Sequence, residues 1–435
     1  MKGSRTAGAR RFRAYRGLVR CAATVALVTL CAPAARAESD PTGDTGPCTF
    51  PSKPYEGRPW PLQRVLLNEL WEQATGEGVT VAVVDTGVDI ENPQLSGAVN
   101  TSEGRNFLAE EGRRKGGAVN STRPGAMNGT TDPVGHGTKV AGIIAARPHP
   151  GTGFVGLAPG ATILPLVQND AEGKGDADML AEAIDYAVGE GAAVINISQD
   201  TVDPVDQRRP SPKLHAAITA ALGHGRVVIA SAGNDGLGGA VKSTYPASHP
   251  GVLAVASSDR NNERAYFSQS GDFVGIAAPG TDIVSTVPGG GHCTDSGTSF
   301  SAPYVAAVAA LLKEKHPEWS GPQIVTQIQQ TAERSVPGHD RLVGWGVVDP
   351  VRALKEDEPA PGTRPVPDGG PPEAQAALLP PFRQGETPQE RAVRLATYTF
   401  VGTGTAVAVM TGAAVALRDA RRRGRRGSPR ADITR

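Results

Sequence analysis

Short apolar runs alternate with longer amphipathic segments through the middle of the 435-residue chain. Apolar runs rich in β-branched side chains predict buried strands, and apolar positions at helical spacing predict helices. The predicted strands are Val79–Asp85, Thr162–Val167, Ala193–Ser198, Val227–Ala232 and Val252–Ala256. The predicted helices between them are Gly137–Ala146, Ala177–Gly189 and Lys213–His224. This alternation predicts an α/β fold with a mostly parallel central sheet that is covered by helices on both faces.

The segments that flank these elements have weaker patterns. Residues 38–59 are rich in Pro, Gly and Asp, which predicts an extended N-terminal arm. Residues 60–71, "WPLQRVLLNELW", have apolar positions at helical spacing and begin the predicted main domain, residues 60–355. Residues 100–131 lack periodicity and predict a long surface loop. Proline, glycine and charge dominate residues 356–394, which predicts a semi-extended linker.

Both ends of the chain carry targeting features. Residues 1–37 begin with basic residues, continue with an apolar run and end in Ala-Arg-Ala. This layout predicts a secretory signal peptide cleaved after Ala37, with a buried N-terminal helix as the alternative. No charged residue lies within 395–417, which predicts a transmembrane helix, with an interfacial or buried helix as the alternative. The tail, 418–435, holds eight arginines and two aspartates, so the positive-inside rule places it in the cytoplasm.

The formal net charge of zero conceals a separation of charge along the chain. The whole chain has 44 basic and 44 acidic residues. Eight basic residues lie in 1–37, and eight basic and two acidic residues lie in 418–435, which leaves 28 basic and 42 acidic residues in 38–417. So acidic an outer domain argues against nucleic acid or anionic lipid as its partner.

Removal of the signal peptide leaves two of the four cysteines, Cys48 and Cys293. Disulfides persist outside the cytosol, so we expect a bridge that pins the N-terminal arm to the main domain. Two free thiols are the alternative.

Two Asp-[Ser/Thr]-Gly motifs in the predicted main domain indicate two different protease chemistries. Asp85-Thr86-Gly87 ends the first predicted strand, and Asp295-Ser296-Gly297 lies far downstream. A pair of such carboxylates activates water in aspartic proteases, whereas one such carboxylate orients a histidine in subtilisin-like enzymes. The aspartic-protease hypothesis requires two similar, mostly β lobes, and this chain instead alternates strands with helices.

A histidine motif and a serine motif, His136-Gly137-Thr138 and Gly297-Thr298-Ser299, favour the second chemistry. Serine is a weak nucleophile unless a base accepts its proton, and a buried carboxylate fixes the tautomer of that base. The order Asp85, His136, Ser299 is the chain order of subtilisin. Each motif alone has a structural alternative: a turn cap, a scattered histidine or a helix N-cap. In combination they are more specific, because a helix-forming run follows both His136 and Ser299.

Asn234 supplies a fourth candidate group. It follows the predicted strand Val227–Ala232 in "VVIASAGNDG", between two turns of small residues. An amide at that place can donate to a tetrahedral oxyanion together with the backbone N–H of Ser299. A structural Asx-turn is the alternative.

These motifs, and the segments "AVINIS", "IAAPGTDIVSTVP" and "GWGVVDP", resemble the subtilisin family of serine proteases over roughly residues 75–352. The chain further resembles the mycosins, membrane-anchored subtilases of type VII secretion, in its signal peptide, arm, linker, membrane span and basic tail and in the segments "WPLQRVLLNELW" and "IIAARPHPGTGFVGLAPGATILPL". The resemblance implies a subtilisin-like three-layer fold and a serine endopeptidase that cleaves proteins or peptides at the membrane, next to components of a secretion system. It implies these site residues: Asp85, His136 and Ser299 as the triad, Asn234 as the oxyanion donor, and Ser198, Gln199, Ser231, Ala232 and Gly233 as the substrate-binding edge.

The chain departs from secreted subtilisins in two places. The arm is too short to be the chaperone-like inhibitory propeptide typical of them. Gln199 and Asp200 stand where glycines are usual, which predicts a bulkier and more polar rim of the S1 pocket. No cofactor and no set of metal-binding side chains is predicted. The sequence leaves a calcium site built from backbone carbonyls as an alternative.

A different class of function is compatible with the same features. An anchored domain with an attached arm and an atypical S1 rim also fits a structural component of a secretion membrane complex, in which proteolysis is secondary.

Overall fold

The computed structural model describes residues 48–114, 127–169, 176–199, 211–237, 243–367 and 388–424. The predicted signal peptide, Asp200 and the end of the basic tail lie outside these ranges. The chain divides into two compact units, one that ends at Pro367 and one that begins at Asp368.

Within the described residues, seven parallel strands form the central sheet of the first unit, in the order β2-β3-β1-β4-β5-β6-β7. Their bounds are β1 Thr80–Asp85, β2 Arg105–Asn106, β3 Thr162–Val167, β4 Val194–Ile197, β5 Val227–Ser231, β6 Leu253–Ser258 and β7 Val274–Pro279. From β1 the chain runs to the edge strand β2, returns to β3 beside β1, and then crosses to β4 on the other side of β1. The carboxyl end of β1 is therefore the point where the winding reverses, the usual place of a site in such sheets.

Helices cover both faces of the sheet. The helices of the first unit are α1 Trp60–Gln63, α2 Leu67–Trp71, α3 Phe107–Arg114, α4 His136–Ala145, α5 Ala177–Gly189, α6 Pro212–Gly223, α7 Thr298–Lys315, α8 Gly321–Gln330 and α9 Pro350–Lys355. Side chains alternate along each strand: Val81 and Val83 belong to the apolar core under α4 and α7, whereas Ala82 and Val84 belong to the core under α5 and α6. The predicted three-layer α/β fold is thereby confirmed.

An antiparallel hairpin of β8, Ile283–Thr286, and β9, His292–Asp295, lies beside α4. The N-terminal arm runs along β9: His292 N donates to Lys53 O at 3.1 Å, and Tyr55 N donates to His292 Nδ1 at 3.0 Å. Cys48 and Cys293 form a disulfide across this contact, with Cα atoms 5.8 Å apart. The arm is thus attached to the hairpin that leads to Ser299.

Two of the sequence predictions are wrong in detail. The segment predicted as a surface loop contains β2 and α3 at residues 105–114, where Phe107 is buried and Arg105 forms an ion pair with Glu110 at 2.7 Å. Residues 60–71 do not form one helix, because the chain breaks between α1 and α2 and leaves Leu66 56% exposed.

The second unit contains one described helix, α10, Pro388–Gly424, which is longer than the predicted span of 395–417. It is long and apolar enough to cross a membrane. Each of its five threonine hydroxyls donates to the carbonyl four residues earlier, as Thr405 does to Val401 at 2.8 Å. Because these hydroxyls are satisfied within the helix, the threonines cost less in an apolar surrounding than the sequence suggests.

Candidate active site

Asp85 and His136 meet at the carboxyl end of β1. Asp85 is fully buried, and its Oδ1 lies 2.7 Å from His136 Nδ1 at the start of α4. Close approach is possible because residue 137 is glycine: a Cβ there would lie 2.1 Å from Gly87 O. A carboxylate oxygen at Nδ1 requires a proton on that nitrogen, so the neutral imidazole has Nε2 free to accept a proton.

Thr86 and Asp132 join the two motifs through a second set of hydrogen bonds. The Thr86 hydroxyl donates to Asp132 Oδ1 at 2.9 Å and accepts from Gly137 N at 3.0 Å. Asp132 also accepts from Gly135 N and Thr138 N, each at 2.8 Å, so it caps the beginning of α4. Burial raises the pKa of Asp132, against hydrogen bonds from Thr138 and Gly135 that lower it.

The pKa of His136 lies above its ordinary value. Burial alone lowers this pKa, but the charge of Asp85 and its hydrogen bond raise it more. The charge of Asp132 raises it as well, whereas Lys139 lowers it. The site therefore favours the imidazolium that forms when a base takes up a proton.

Ser299 is the second residue of α7, at the positive end of an 18-residue helix. The side chain of the next residue, Phe300, contacts the base: its ring centroid lies 5.5 Å from that of His136. Ser299 itself is partly exposed, while nearly all of the first four turns of the helix are buried. The structure thus brings the serine motif and the histidine motif to one edge of the sheet, as the sequence predicts.

Asn234 follows β5 and lies against the serine turn, residues 297–299. Its Oδ1 accepts from Thr298 N at 2.9 Å and from the Thr298 hydroxyl at 3.0 Å. A backbone N–H can only donate, so this contact fixes the amide with Nδ2 pointing away from Thr298 N. Nδ2 lies near Gly297, where a Cβ would be 3.6 Å away. An amide donor beside the backbone of Gly297 and Ser299 is suited to a developing oxyanion.

The predicted substrate-binding residues follow two adjacent strands. Ser198 and Gln199 come after β4, and Ser231, Ala232 and Gly233 end or follow β5. The Ser198 hydroxyl accepts from Asn196 Nδ2 at 2.8 Å, and Gly233 N donates to the Thr298 hydroxyl at 3.2 Å. Both segments therefore lie at the carboxyl edge of the sheet, and Gly233 contacts the turn that carries Ser299.

The second Asp-[Ser/Thr]-Gly motif has a different surrounding from the first. Asp295 ends β9, its side chain is 44% exposed, and its Oδ2 accepts from Lys139 Nζ at 2.8 Å. Asp85 is buried against an imidazole instead. Unlike environments and a single α/β sheet contradict an aspartic-protease dyad, which requires two equivalent carboxylates.

A parallel α/β sheet with a buried Asp–His pair and a serine at a helix N-terminus defines a serine-protease class of site. Residues 76–346 match the family described as the subtilase family, peptidase S8, and the chain belongs to it. It is a serine-type endopeptidase by this membership.

Its relatives include subtilisins and mycosins. Subtilisin Savinase of Lederbergia lenta is 35% identical over 298 residues, which are 68% of this chain and 98% of that protein. Mycosin-1 of Mycolicibacterium smegmatis is 34% identical over 390 residues, 79% of each chain. The solved structure of the serine protease MycP1, an essential component of the type VII (ESX-1) secretion system, is 31% identical with a TM-score of 0.59, and the match covers 71% of this chain and 91% of that one.

Sequence reasoning missed three residues that surround the site: Asp132, Lys139 and Thr298. Asp132 lies three residues before the N-cap position, Gly135, where no capping residue is expected from the sequence, so its contacts with the start of α4 are visible only in the folded chain. The partners of Lys139 and Thr298 are distant in sequence, and no local pattern indicates them.

Proposed function

We propose that this protein is a membrane-anchored endopeptidase in which Ser299, His136 and Asp85 form the catalytic triad and Asn234 donates to the oxyanion. The observation that carries the proposal is the 2.7 Å contact between Asp85 Oδ1 and His136 Nδ1, beside the helix that begins at Thr298. The substrate is a protein or peptide that lies along the ends of β4 and β5.

The reaction begins when Ser299 Oγ attacks the carbonyl carbon of a peptide bond. His136 Nε2 takes the serine proton as the C–O bond forms, and Asp85 stabilises the imidazolium through Nδ1–H. The carbonyl oxygen becomes an oxyanion, which accepts hydrogen bonds from Asn234 Nδ2 and the backbone N–H of Ser299. Collapse breaks the C–N bond, and His136 gives its proton to the leaving amine.

Water then releases the acyl group by the same kind of steps, with water as the nucleophile and Ser299 Oγ as the leaving group. His136 takes a proton from water, the resulting hydroxide attacks the ester, and the second oxyanion uses the same two donors. Breakage of the ester returns the proton from His136 to Ser299 Oγ and frees the carboxylic acid product.

We further propose that the peptidase domain, residues 60–355, lies on the outer face of the cytoplasmic membrane. The support is a predicted signal peptide at 1–37, the apolar helix α10 and the arginine-rich tail that follows it. The similarity to Mycosin-1 and to MycP1 favours components of a type VII secretion system as its partners. An epitope added after Arg435 tests sidedness: it should resist added protease in intact spheroplasts and become sensitive once they are permeabilised.

A fluorophosphonate probe tests the chemistry on the full chain in detergent. We expect labelling of the wild type and none of Ser299→Ala. Ser301→Ala is the matched control, because Ser301 lies two residues further along α7, is fully buried and has no hydrogen-bond partner for its hydroxyl among the described residues. Labelling that persists in Ser299→Ala, or that is absent from the wild type at every pH, would refute the proposal.

A second candidate role is structural support of a secretion membrane complex. The attachment of the arm by the Cys48–Cys293 disulfide favours it, because cleavage within the chain before Cys48 would leave residues 48–59 in place. A cell that carries only Ser299→Ala separates the two roles. Secretion that continues without cleavage assigns the phenotype to the structural role, whereas loss of secretion assigns it to proteolysis.

A further inference from the structure

A partly buried ion pair joins the helix of the base to the turn of the nucleophile. Lys139 lies one turn after His136 on α4, and its side chain is only 11% exposed. Its Nζ donates to Asp295 Oδ2 at 2.8 Å, across 156 residues of chain. Asp295 is the last residue of β9, four positions before Ser299. A lysine is rarely so buried unless it is paired, so the contact requires an explanation.

The rest of the β8–β9 hairpin holds α4 through neutral hydrogen bonds. The Ser285 hydroxyl donates to Lys139 O at 2.6 Å, and the Thr286 hydroxyl donates to Thr138 O at 2.9 Å. These contacts lie on β8, away from the serine turn. The Lys139–Asp295 pair is the contact at the other end of the hairpin, where the chain turns towards Ser299.

The same lysine contributes to the charge around the base. The charged groups that face His136 are Asp85 from β1, Asp132 from the loop before α4, and Lys139 from α4 itself. The Phe300 ring is near both groups: its centroid lies 5.9 Å from Lys139 Nζ and 5.5 Å from the centroid of the His136 ring. The positive charge of Lys139 lowers the pKa of His136, and Asp295 partly cancels that charge.

We propose that the Lys139–Asp295 ion pair is a positioning device for the proteolytic reaction, which holds α4 against the turn of Ser299 and balances the charge beside His136. Neither residue touches the reacting atoms, so both act through His136 and Ser299. The inference rests on the proposed roles of those two residues.

Substitution of Lys139 and substitution of Asp295 should shift the pKa of His136 in opposite directions. Lys139→Met removes a positive charge near the imidazole, so the pKa of His136 should rise. Asp295→Asn leaves that positive charge uncompensated, so the pKa of His136 should fall. The double variant should return towards the wild-type value. A role confined to stability does not produce shifts of opposite sign.

The first measurement is the NMR titration of His136 in the Ser299→Ala background of the full chain in detergent, which needs no turnover. The second is the pH profile of kcat/KM for a chromogenic peptide in chains that keep Ser299. Its acidic limb should move to higher pH in Lys139→Met and to lower pH in Asp295→Asn, because the base must be neutral to act. At the optimum, each single variant should lose about two- to tenfold in kcat/KM through the weakened tether.

Two controls keep the result interpretable. Lys213→Met breaks a pair of the same residue types at the same 2.8 Å distance, Lys213–Asp178, which is exposed and lies on the opposite face of the sheet; it should leave both measurements unchanged. Lys139→Arg keeps the charge and should retain the wild-type titration. If Lys139→Met does not fold, Asp295→Asn and Lys139→Arg still decide the question.

The proposal is overturned if the His136 titration stays in place in both single variants, or moves in the same direction in both. Failure of the proposed function is a separate outcome. If the wild type neither hydrolyses the peptide nor reacts with fluorophosphonate, the assignment of the catalytic triad is refuted. The titrations would still decide whether the Lys139–Asp295 pair sets the charge beside His136.

Discussion

The Thr86 hydroxyl donates to the buried carboxylate of Asp132 at 2.9 Å and so ties the turn after β1 to the loop that begins α4. Because Thr86 is adjacent to Asp85 and Asp132 precedes His136, the carboxylate motif and the histidine motif form one hydrogen-bonded unit. The distance between Asp85 and His136 is thus set by neighbours on both sides rather than by their own contact alone.

Asp132→Ala should disrupt this unit without touching the triad. It leaves the N–H groups of Gly135 and Thr138 without their acceptor, so we expect a loss of about 2–3 kcal/mol in the free energy of unfolding. We also expect a lower kcat at nearly constant KM, since the base loses its fixed position. Denaturation followed by tryptophan fluorescence reports on the first unit, which holds all four tryptophans: Trp60, Trp71, Trp319 and Trp345.

Asp259→Ala is the control for this change. Asp259 also accepts two backbone N–H groups, but in a turn that is partly exposed to water. Its loss should cost less stability and leave kcat unchanged. Equal effects of the two variants on kcat would contradict the positioning role of Asp132.

Thr298 should matter to catalysis through the amide of Asn234. Asn234→Ala removes the side-chain donor, so we expect kcat to fall about 10²–10³-fold with little change in KM. Thr298→Val removes one of the two hydrogen bonds that fix Asn234 Oδ1 but leaves the backbone bond at 2.9 Å. Its expected loss is therefore smaller, about three- to tenfold in kcat.

Thr281→Val is the matched control for Thr298→Val, because the Thr281 hydroxyl is buried and has no hydrogen-bond partner in the part of the chain that the structure describes. It should leave kcat unchanged. A wild-type kcat in Asn234→Ala would show that the amide is a structural Asx group and not an oxyanion donor.

His292 should make the stability of the first unit depend on pH. Its Nδ1 accepts from Tyr55 N and its Nε2 lies 2.7 Å from Gln94 Oε1, so both contacts require the neutral ring with its proton on Nε2. Burial, and then the charge of His149, lower its pKa to about 4. The unfolded chain, with a pKa of about 6.5 for histidine, takes up the proton first as the pH falls.

The stabilisation is therefore complete above about pH 6.5, is lost as the pH falls towards 4, and levels off below that value. The loss should reach about 3 kcal/mol. His292→Gln should flatten this part of the stability profile, whereas His224→Gln, at an exposed histidine, should keep it. A profile that is unchanged in His292→Gln would contradict the assignment.

The sequence predicts the sheet and the motifs well because both depend on local patterns. Buried runs such as Thr162–Val167 have the bounds of the observed strand. Helix α3 was not predicted because it has only eight residues and its apolar residues, Phe107, Leu108 and Ala109, all lie in its first turn, so no apolar position repeats one turn later. The Lys139–Asp295 pair was not predicted for a different reason: its residues lie 156 positions apart in sequence, and only the folded chain brings them together.

The disulfide between Cys48 and Cys293 should stabilise the first unit chiefly through the unfolded chain. It closes a loop of 245 residues, for which chain entropy gives about 5 kcal/mol. We expect the double variant Cys48→Ser, Cys293→Ser to unfold at lower urea with a larger m-value, since its unfolded state is less compact. Dithiothreitol should lower the urea midpoint of the wild type in the same way and leave the double variant unchanged.

Because His292 anchors the arm next to Cys293, the double cysteine variant should also lose most of its acid-dependent stability if the arm detaches. Retention of the His292 profile would show that the hydrogen bonds to Tyr55 and Gln94 hold the arm without the covalent link.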